Sequence, residues 1–299
     1  MYNVAIIGAG INGVTTAYAL NQAGVDNVVV LEAHRYPSME TSYASGGLDR
    51  HPVTPSEIRT IEPALKGEYY GGMYTPSDAS GDIHKFTRRL ASVCEARGTT
   101  FLCETEVGSI VPNGSHFELS CRPTGGVCSG RTGQWGTIVE ARKLVICAGT
   151  HSRSLASMLS DRINIYPVKG YSVTCHMEDE YSRANAPVVS LLDEEAKIVT
   201  SRLGSDRFRV AGTAELNGFN YDIRADRIEP LKRWIRSNFP AINTSRIVSW
   251  AGLRPMMPNM MPVVRAGRRA NVFYNTGHGH LGWTLSAATA DLVVQLVKG

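Results

Sequence analysis

The chain has 299 residues, 43% apolar and 19% charged, with 29 glycines and a net charge of +4. That composition excludes a disordered or fibrous chain, and at roughly 150 residues per domain the length points to about two domains. No Lys/Arg block of the kind that binds nucleic acid occurs, and no apolar run approaches the ~18 residues of a membrane-spanning helix.

The chain opens on Met1-Tyr2-Asn3 and runs straight into Val4-Ala5-Ile6-Ile7. It has no cationic leader and no small-residue cleavage site, so no signal peptide is expected. Cys94, Cys103, Cys121, Cys128, Cys147 and Cys175 form no C-x-x-C pair and are expected as reduced thiols of a cytosolic protein. Cys147, within Leu144-Val145-Ile146-Cys147-Ala148, reads as a small buried apolar residue.

The first thirty residues predict β-α-β. Val4–Ile7 is a short β-branched run, as in a strand buried on both faces. A glycine-rich turn follows, then a helix over Val14–Ala23 closed by Gly24, and a second strand over Asn27–Leu31. Ile83–Arg97 has helical spacing and stops at Gly98. Phe101-Leu102, Val107–Ile110, Phe117–Leu119 and Leu144–Cys147 read as strands, with a helix near Arg153–Leu159. From Ile163 the pattern alternates: Tyr171–Cys175, Ile198–Ser201 and Arg207–Ala211 predict strands, interrupted by a helix over Arg224–Asn238. Val272–Asn275 returns to the buried-strand pattern, and Thr284–Val297 is a closing amphipathic helix.

The expected fold is therefore α/β: a discontinuous Rossmann-like nucleotide-binding domain (1–50, 75–160 and 262–299) with an inserted β-rich domain (51–74 and 161–261).

Gly8-Ala9-Gly10-Ile11-Asn12-Gly13 is G-x-G-x-x-G between a predicted strand and helix, and Glu32 closes the second strand 19 residues after Gly13. That context makes it a dinucleotide fingerprint. Gly8 permits a tight turn, Gly10 lets the backbone approach a pyrophosphate, and Gly13 lets helix and strand pack closely. The helix N-terminus then faces the phosphates. An acid at Glu32 suits a ribose hydroxyl and disfavours a 2′-phosphate, leaving FAD or NAD. The polar, glycine-rich Glu40–Gly47 favours FAD, since a flavin needs a seat after the second strand. Asn275–Trp283, a second glycine-rich strand-to-helix turn, could aim N–H groups at the electron-rich edge of a reduced flavin.

These stretches, together with IEPAL, SGDIHKFTRRLA, INIYPVKGYSV and WAGLRPMMP, resemble the D-amino acid dehydrogenase small-subunit family, within the D-amino acid oxidase and glycine oxidase class of FAD enzymes. The resemblance implies non-covalent FAD and hydride transfer from the Cα of an amino acid. It implies that Gly8, Ala9, Gly10, Ile11, Asn12 and Gly13 line the pyrophosphate and that Glu32 and Ala33 lie at the adenosine ribose. Thr41 and Ser42 fall near phosphate and flavin, the Val107 backbone at adenine, and Gly149 at the second crossover. Gly279, His280, Leu281 and Gly282 face the flavin, and Arg254 binds the substrate carboxylate. A planar guanidinium suits that role, because it holds a carboxylate bidentately.

His280 is also a candidate polar group on the substrate side, and Tyr171 a candidate pocket wall or a packing aromatic. No metal site is expected at His278 and His280, which lack a nearby acid or Cys. The electron acceptor (quinone, oxygen or protein) and an oligomer or partner subunit stay open, as does attachment at the inner membrane face. The family pattern is broken between Gly47 and Ile61, where a long stretch is missing. It is broken again at Ala196, where the family has tyrosine, and at Asn259-Met260-Met261-Pro262. The cofactor half is nearly intact and the substrate half depleted. That leaves a rival reading, a flavin-binding member with an incomplete substrate site.

Overall fold

The computed structural model describes residues 1–34, 50–124 and 136–299. In chain order the elements are β1 (Tyr2–Ile7), α1 (Ile11–Gln22), β2 (Val28–Leu31), β3 (His51–Val53), α2 (Pro55–Ile61), β4 (Gly72–Tyr74), α3 (Ile83–Ala96), β5 (Thr100–Leu102), β6 (Thr105–Asn113), β7 (His116–Pro123), β8 (Thr137–Ile146), α4 (Ser152–Met158), β9 (Tyr166–His176), α5 (Glu180–Ala184), β10 (Leu192–Asp193), β11 (Ile198–Leu203), β12 (Arg207–Leu216), α6 (Ala225–Asn238), β13 (Ile247–Met256), β14 (Val263–Ala266), β15 (Val272–Thr276) and α7 (Gly282–Lys298).

The chain divides into two compact units. One gathers the described residues of Met1–Ala44 with Ile83–Pro167 and Arg254–Gly299. Its sheet runs β14-β15-β8-β1-β2-β5. β15, β8, β1, β2 and β5 are parallel and β14 is antiparallel. Each central strand is apolar throughout because both faces are covered. Val4, Ile6, Val28, Val30 and Val145 pack with Ala17 and Leu20 of α1, Cys94 of α3 and Val293 of α7. Ala5, Ile7, Val29, Leu31 and Ile146 face the other way, against Phe117, Leu119 and Val139 of the β6-β7-β8 meander and Leu155 of α4. Both α1 and α3 end on a left-handed glycine. Gly24 (φ +77) donates to the carbonyl of Asn21 and Val25 to that of Leu20. Gly98 (φ +88) and Thr99 repeat this on Glu95 and Cys94, so the last carbonyls are paired.

The second unit holds the described residues of Ser45–Asp82 with Val168–Leu253. Its sheet runs β10-β11-β12-β9-β13, beside a β3-β4 pair. α6 lays Ile228, Leu231 and Ile235 on Tyr171, Val173, Cys175, Phe208 and Val210 of the sheet. The motif Ile61-Glu62-Pro63 has a structural task here. Glu62, 2% exposed, accepts the backbone N–H groups of Val188 (2.7 Å), Val189 (3.0 Å) and Ala64 (3.2 Å).

The divisions fall at 82/83, 167/168 and 253/254, where the sequence suggested 74/75, 160/161 and 261/262. The shift at the last one has a physical cause. Ile247–Met256 is a strand, β13, that the pattern hid behind Gly252 and Pro255. Proline is tolerated because β13 is an edge strand. Arg254 therefore belongs to the first unit, not the second. Among the described residues no helix is long and apolar enough to cross a membrane, and Cys94, Cys103, Cys121, Cys147 and Cys175 are free thiols.

Candidate functional site

The carboxyl ends of β1, β2, β8 and β15 lie along one edge of the parallel sheet, where open α/β sheets take their ligands. Three of these ends run into glycine turns. In the first, two glycines are demanded by packing and one is not. Gly8 sits at φ +105, and a Cβ there would lie 2.7 Å from the Cys147 carbonyl oxygen. At Gly13 a Cβ would meet the Gly8 carbonyl oxygen at 1.9 Å. Around Gly10 a Cβ would meet none of the described residues within 4 Å. Gly10 caps α1 without a side-chain hydrogen bond, and the first turn of α1 carries no acid. The helix thus presents an open, uncapped N-terminus, the arrangement that binds phosphate.

Glu32, 9% exposed, ends β2 against this turn. It accepts the Ala9 N–H at 2.6 Å and the His34 N–H at 2.9 Å. Its own carbonyl accepts from Thr105 N, at the start of β6. Val107 follows two residues on, half-buried, where the β6–β7 pairing is bulged. The Ala33 carbonyl accepts the Thr124 hydroxyl. A carboxylate has about four acceptor positions, so Glu32 keeps capacity for a ribose. Thr41 and Ser42 lie outside the described residues.

After β8, Gly149 takes φ +51 with open space around its Cβ position. Its carbonyl accepts from Thr276, whose hydroxyl pairs with Ser152 at 2.7 Å. After β15 comes the second glycine turn. Gly277 (φ +76) and Gly279 (φ +58) are left-handed, and Cβ atoms there would press on Met257 (2.8 Å) and Met256 (2.7 Å). Gly282 starts α7 with its Cβ position 3.5 Å from Asn12 Nδ2, so the two helix starts meet. Hydroxyl and amide bonds lace the edge together. Asn275 donates to Thr16, Thr16 to the Asn12 carbonyl, and Thr15 to the Ile11 carbonyl at 2.8 Å. Thr15, Thr16 and Ser152 were not singled out from sequence. Their signal was a polar residue on an otherwise apolar face. Cys147 lies beneath them as expected, its thiol pushed up to about 12 by burial.

Polar atoms without a partner concentrate at the same edge. Among the described residues they include Asn12 Oδ1, Thr150 Oγ1, Asn275 Oδ1 and His278 Nδ1. Open space at Gly10 and Gly149, a bare helix start, an anchored acid after β2 and these unmet acceptors fit a pyrophosphate-linked, hydroxyl-rich cofactor such as FAD.

The substrate-side candidates divide. The Gly279 N–H donates to the Pro255 carbonyl at 3.0 Å, which seats the end of β13 beside the second glycine turn. Arg254 is half-buried, and burial lowers its pKa. His280 is exposed on the turn; burial of its ring and then the charge of Arg254 lower its pKa. Arg254, His280, Leu281 and the flanking glycines are thus brought together. Tyr171 belongs to the other unit. It is 1% exposed, and its hydroxyl donates to Glu215. Lys169, fully buried, lies 3.5 Å from the same carboxylate and donates to Asn220 at 2.7 Å.

A family model described as FAD dependent oxidoreductase matches residues 3–51 and 47–296. The chain is 54% identical over 252 residues to D-amino acid dehydrogenase 3 of Mesorhizobium japonicum, covering 84% of this chain and 59% of that protein. It is 42% identical over 257 residues to the D-amino acid dehydrogenase of Paramagnetospirillum magneticum, covering 85% and 57%. The chain thus spans less than two thirds of the length of these relatives. Among solved structures, glycine oxidase of Bacillus cereus matches with a TM-score of 0.83 at 20% identity, over 100% of this chain and 95% of that one. Glycine oxidase of Geobacillus kaustophilus matches with a TM-score of 0.84 at 19% identity, over 99% and 94%. At these identities the likeness shows the fold.

Proposed function

The chain belongs to the FAD dependent oxidoreductase family, and from that premise we propose that it oxidises the Cα–N bond of a D-amino acid to a 2-oxo acid and ammonia. The observation that carries this reading is the seating of Arg254 beside the Gly277–Gly282 turn through the Pro255–Gly279 bond. The names of the two dehydrogenase relatives support the substrate class.

FAD, when bound, supplies the acceptor for the hydride that leaves Cα. The chain's own residues bind and orient. The turn Gly8–Gly13 and the start of α1 hold the pyrophosphate. Glu32 holds the adenosine ribose beside Ala33, and the Val107 backbone meets adenine. Gly149 completes the cradle. Gly279 and Leu281 shape the turn through their N–H bonds to the Pro255 and His278 carbonyls, and with Gly282 they bring the start of α7 toward the electron-rich edge of the ring. Arg254 clamps the substrate carboxylate and so fixes which hydrogen of Cα faces the cofactor. His280, held toward its neutral form by burial and by Arg254, lines the substrate side without adding charge. Loss of hydride from Cα and a proton from nitrogen leaves an imine, and water converts it to the 2-oxo acid and ammonia. For Tyr171 we propose a packing role, since its hydroxyl is committed to Glu215. Electrons then pass to a quinone, oxygen or a protein. The unit with the parallel sheet is read as the FAD-binding domain and the other as the substrate domain. A cytoplasmic location, free or peripheral at the inner membrane face, is part of the same proposal.

Adding D-alanine and other D-amino acids to the FAD-loaded protein without oxygen tests the proposal, and the yellow colour should bleach. Colour that persists with every D-amino acid favours the second reading, a cofactor binder needing a partner to complete its site. The shortfall in length against the relatives is the observation that favours that reading. Acid precipitation should leave the colour in the supernatant, because the cofactor is held without a covalent bond.

A further inference from the structure

The Gly277–Gly282 turn has two left-handed glycines, and glycine is the residue that loses most freedom on ordering. Something outside the glycines must fix it. Only three of its residues carry a side chain beyond hydrogen: His280 is exposed, Leu281 is half-buried, and His278 is 2% exposed. His278 is therefore the turn's one fully buried anchor. Its Nε2 lies 3.2 Å from the Thr289 hydroxyl, on the second turn of α7. Thr289 has a single proton, which it gives to the Leu285 carbonyl at 2.9 Å, with the Ser286 carbonyl at 3.4 Å as a weaker second acceptor. With that proton on the closer carbonyl, its oxygen is free to accept, and a proton on Nε2 of the imidazole completes the pair. Nδ1 then has no partner among the described residues.

We infer that His278 is the positioning residue of the second glycine turn, pinning it to α7 through a single tautomer, Nε2–H donating to Thr289. Among the described residues an imidazolium would have no acceptor for a proton on Nδ1. Burial lowers the pKa of His278 to about 4, which agrees with a neutral ring at working pH. Pinning the turn also fixes Gly279, whose N–H holds the Pro255 carbonyl. One buried imidazole thereby sets the place of both the turn and the strand end that carries Arg254. The consequence for cofactor binding rests on the reading of this turn as flavin-facing; the pinning itself does not.

The test uses the full chain, first without and then with FAD. Nitrogen-15 spectra of histidine-labelled protein at neutral pH should show one ring locked as Nε2–H and lost as a signal in His278→Gln. Amide hydrogen exchange should quicken at Gly279 and Leu281 in Thr289→Val and His278→Leu. His278→Gln, which keeps a donor for Thr289, should restore slow exchange, and amides of β11 and β12 should be unmoved in all variants. An Nδ1–H or charged ring, exchange at the turn equal to the parent's, or faster exchange spread evenly over the chain would each overturn the inference. With FAD, Thr289→Val should weaken binding about five- to tenfold, the value of one neutral hydrogen bond. It should also make the midpoint potential of the bound flavin more negative, which a merely structural loss would not do. Unchanged affinity and potential would overturn the link to the cofactor. If the parent itself binds no FAD, the proposed function fails, and the spectra and exchange decide the pinning on their own.

Discussion

Gly10 and Gly13 are three residues apart in one motif, and the structure gives them opposite consequences when a methyl group is added. At Gly13 the new Cβ would stand 1.9 Å from the Gly8 carbonyl oxygen. Carbon and oxygen cannot approach closer than about 3 Å without a shift, so α1 and the β1 turn must part by more than an ångström. Both partners are backbone, and no flexible side chain can yield. Overpacking of this kind costs about 1–3 kcal/mol where a core can relax, and Gly13→Ala should sit at or above the top of that range. At Gly10 the methyl group meets none of the described residues, and φ is −65°, which alanine adopts freely. Loss of unfolded-state freedom favours alanine by about 0.4–1 kcal/mol, and its poorer capping of α1 opposes this by a similar amount. Gly10→Ala should therefore leave the stability of the cofactor-free protein within about 0.5 kcal/mol of the parent.

Its effect belongs to the cofactor. A methyl group in that space holds a pyrophosphate away from the N–H groups of the turn. Losing one charge-assisted hydrogen bond, worth about 1.5–3 kcal/mol, raises the FAD dissociation constant roughly tenfold to a hundredfold. Urea denaturation of the apoprotein and fluorescence titration with FAD measure the two effects separately. The reasoning is refuted if Gly10→Ala binds FAD like the parent, or if Gly13→Ala is as stable as the parent.

Glu32→Gln should weaken FAD and also lower apoprotein stability by about 2 kcal/mol, because an amide can accept from only one of the Ala9 and His34 N–H groups; thermal denaturation without cofactor checks the second part. Arg254→Lys should cost activity despite keeping the charge, and Arg254→Ala should raise KM and lower kcat, together about 2–5 kcal/mol of lost binding energy, with flavin content unchanged. A loss of FAD in these variants would move Arg254 from substrate to cofactor or fold. Lys169→Met should destabilise the second unit by about 3 kcal/mol, since it removes a fully buried cation from Glu215, and denaturant unfolding followed at Trp234 should report it. His278 titrates near 4 when folded and near 6.5 when unfolded, so the unfolded chain takes up the proton first. Its stabilisation is complete above about pH 6.5 and is lost as pH falls toward 4, by about 3 kcal/mol. A His278→Gln variant should flatten that part of the stability profile.

What could be read from the sequence follows from how local each cause is. β1, α1 and β2 were legible because apolar runs, a left-handed glycine after the helix and G-x-G-x-x-G all act within a few residues. Glu32 was legible as an acid after β2, but its hold on Ala9 was not, since that bond spans 23 residues and depends on how the two strand ends lie together. β13 was hidden because Gly252 and Pro255 speak against a strand locally, and only its edge position permits them. Tyr171 shows where local reading leaves two alternatives. An aromatic at the head of a β-rich segment reads equally as a pocket wall or as core, and the outcome turns on Glu215, which reaches it across a bulge in the β9–β12 pairing.

The same logic separates the two halves of the site. Cofactor binding uses backbone N–H groups at strand ends, so its signature is glycine at fixed spacing, and spacing survives in a sequence. Holding those strand ends in place uses Thr16, Asn275, Ser152, Thr276 and the His278–Thr289 pair, joined across 11 to 259 residues of chain. No short pattern encodes such pairs; each looks alone like a stray polar residue in an apolar element. A buried polar group is costly unless paired, and here the pairs draw three glycine turns to one edge. Stray polar residues at the carboxyl ends of buried parallel strands are therefore the signal to look for when the glycine motif has already been found.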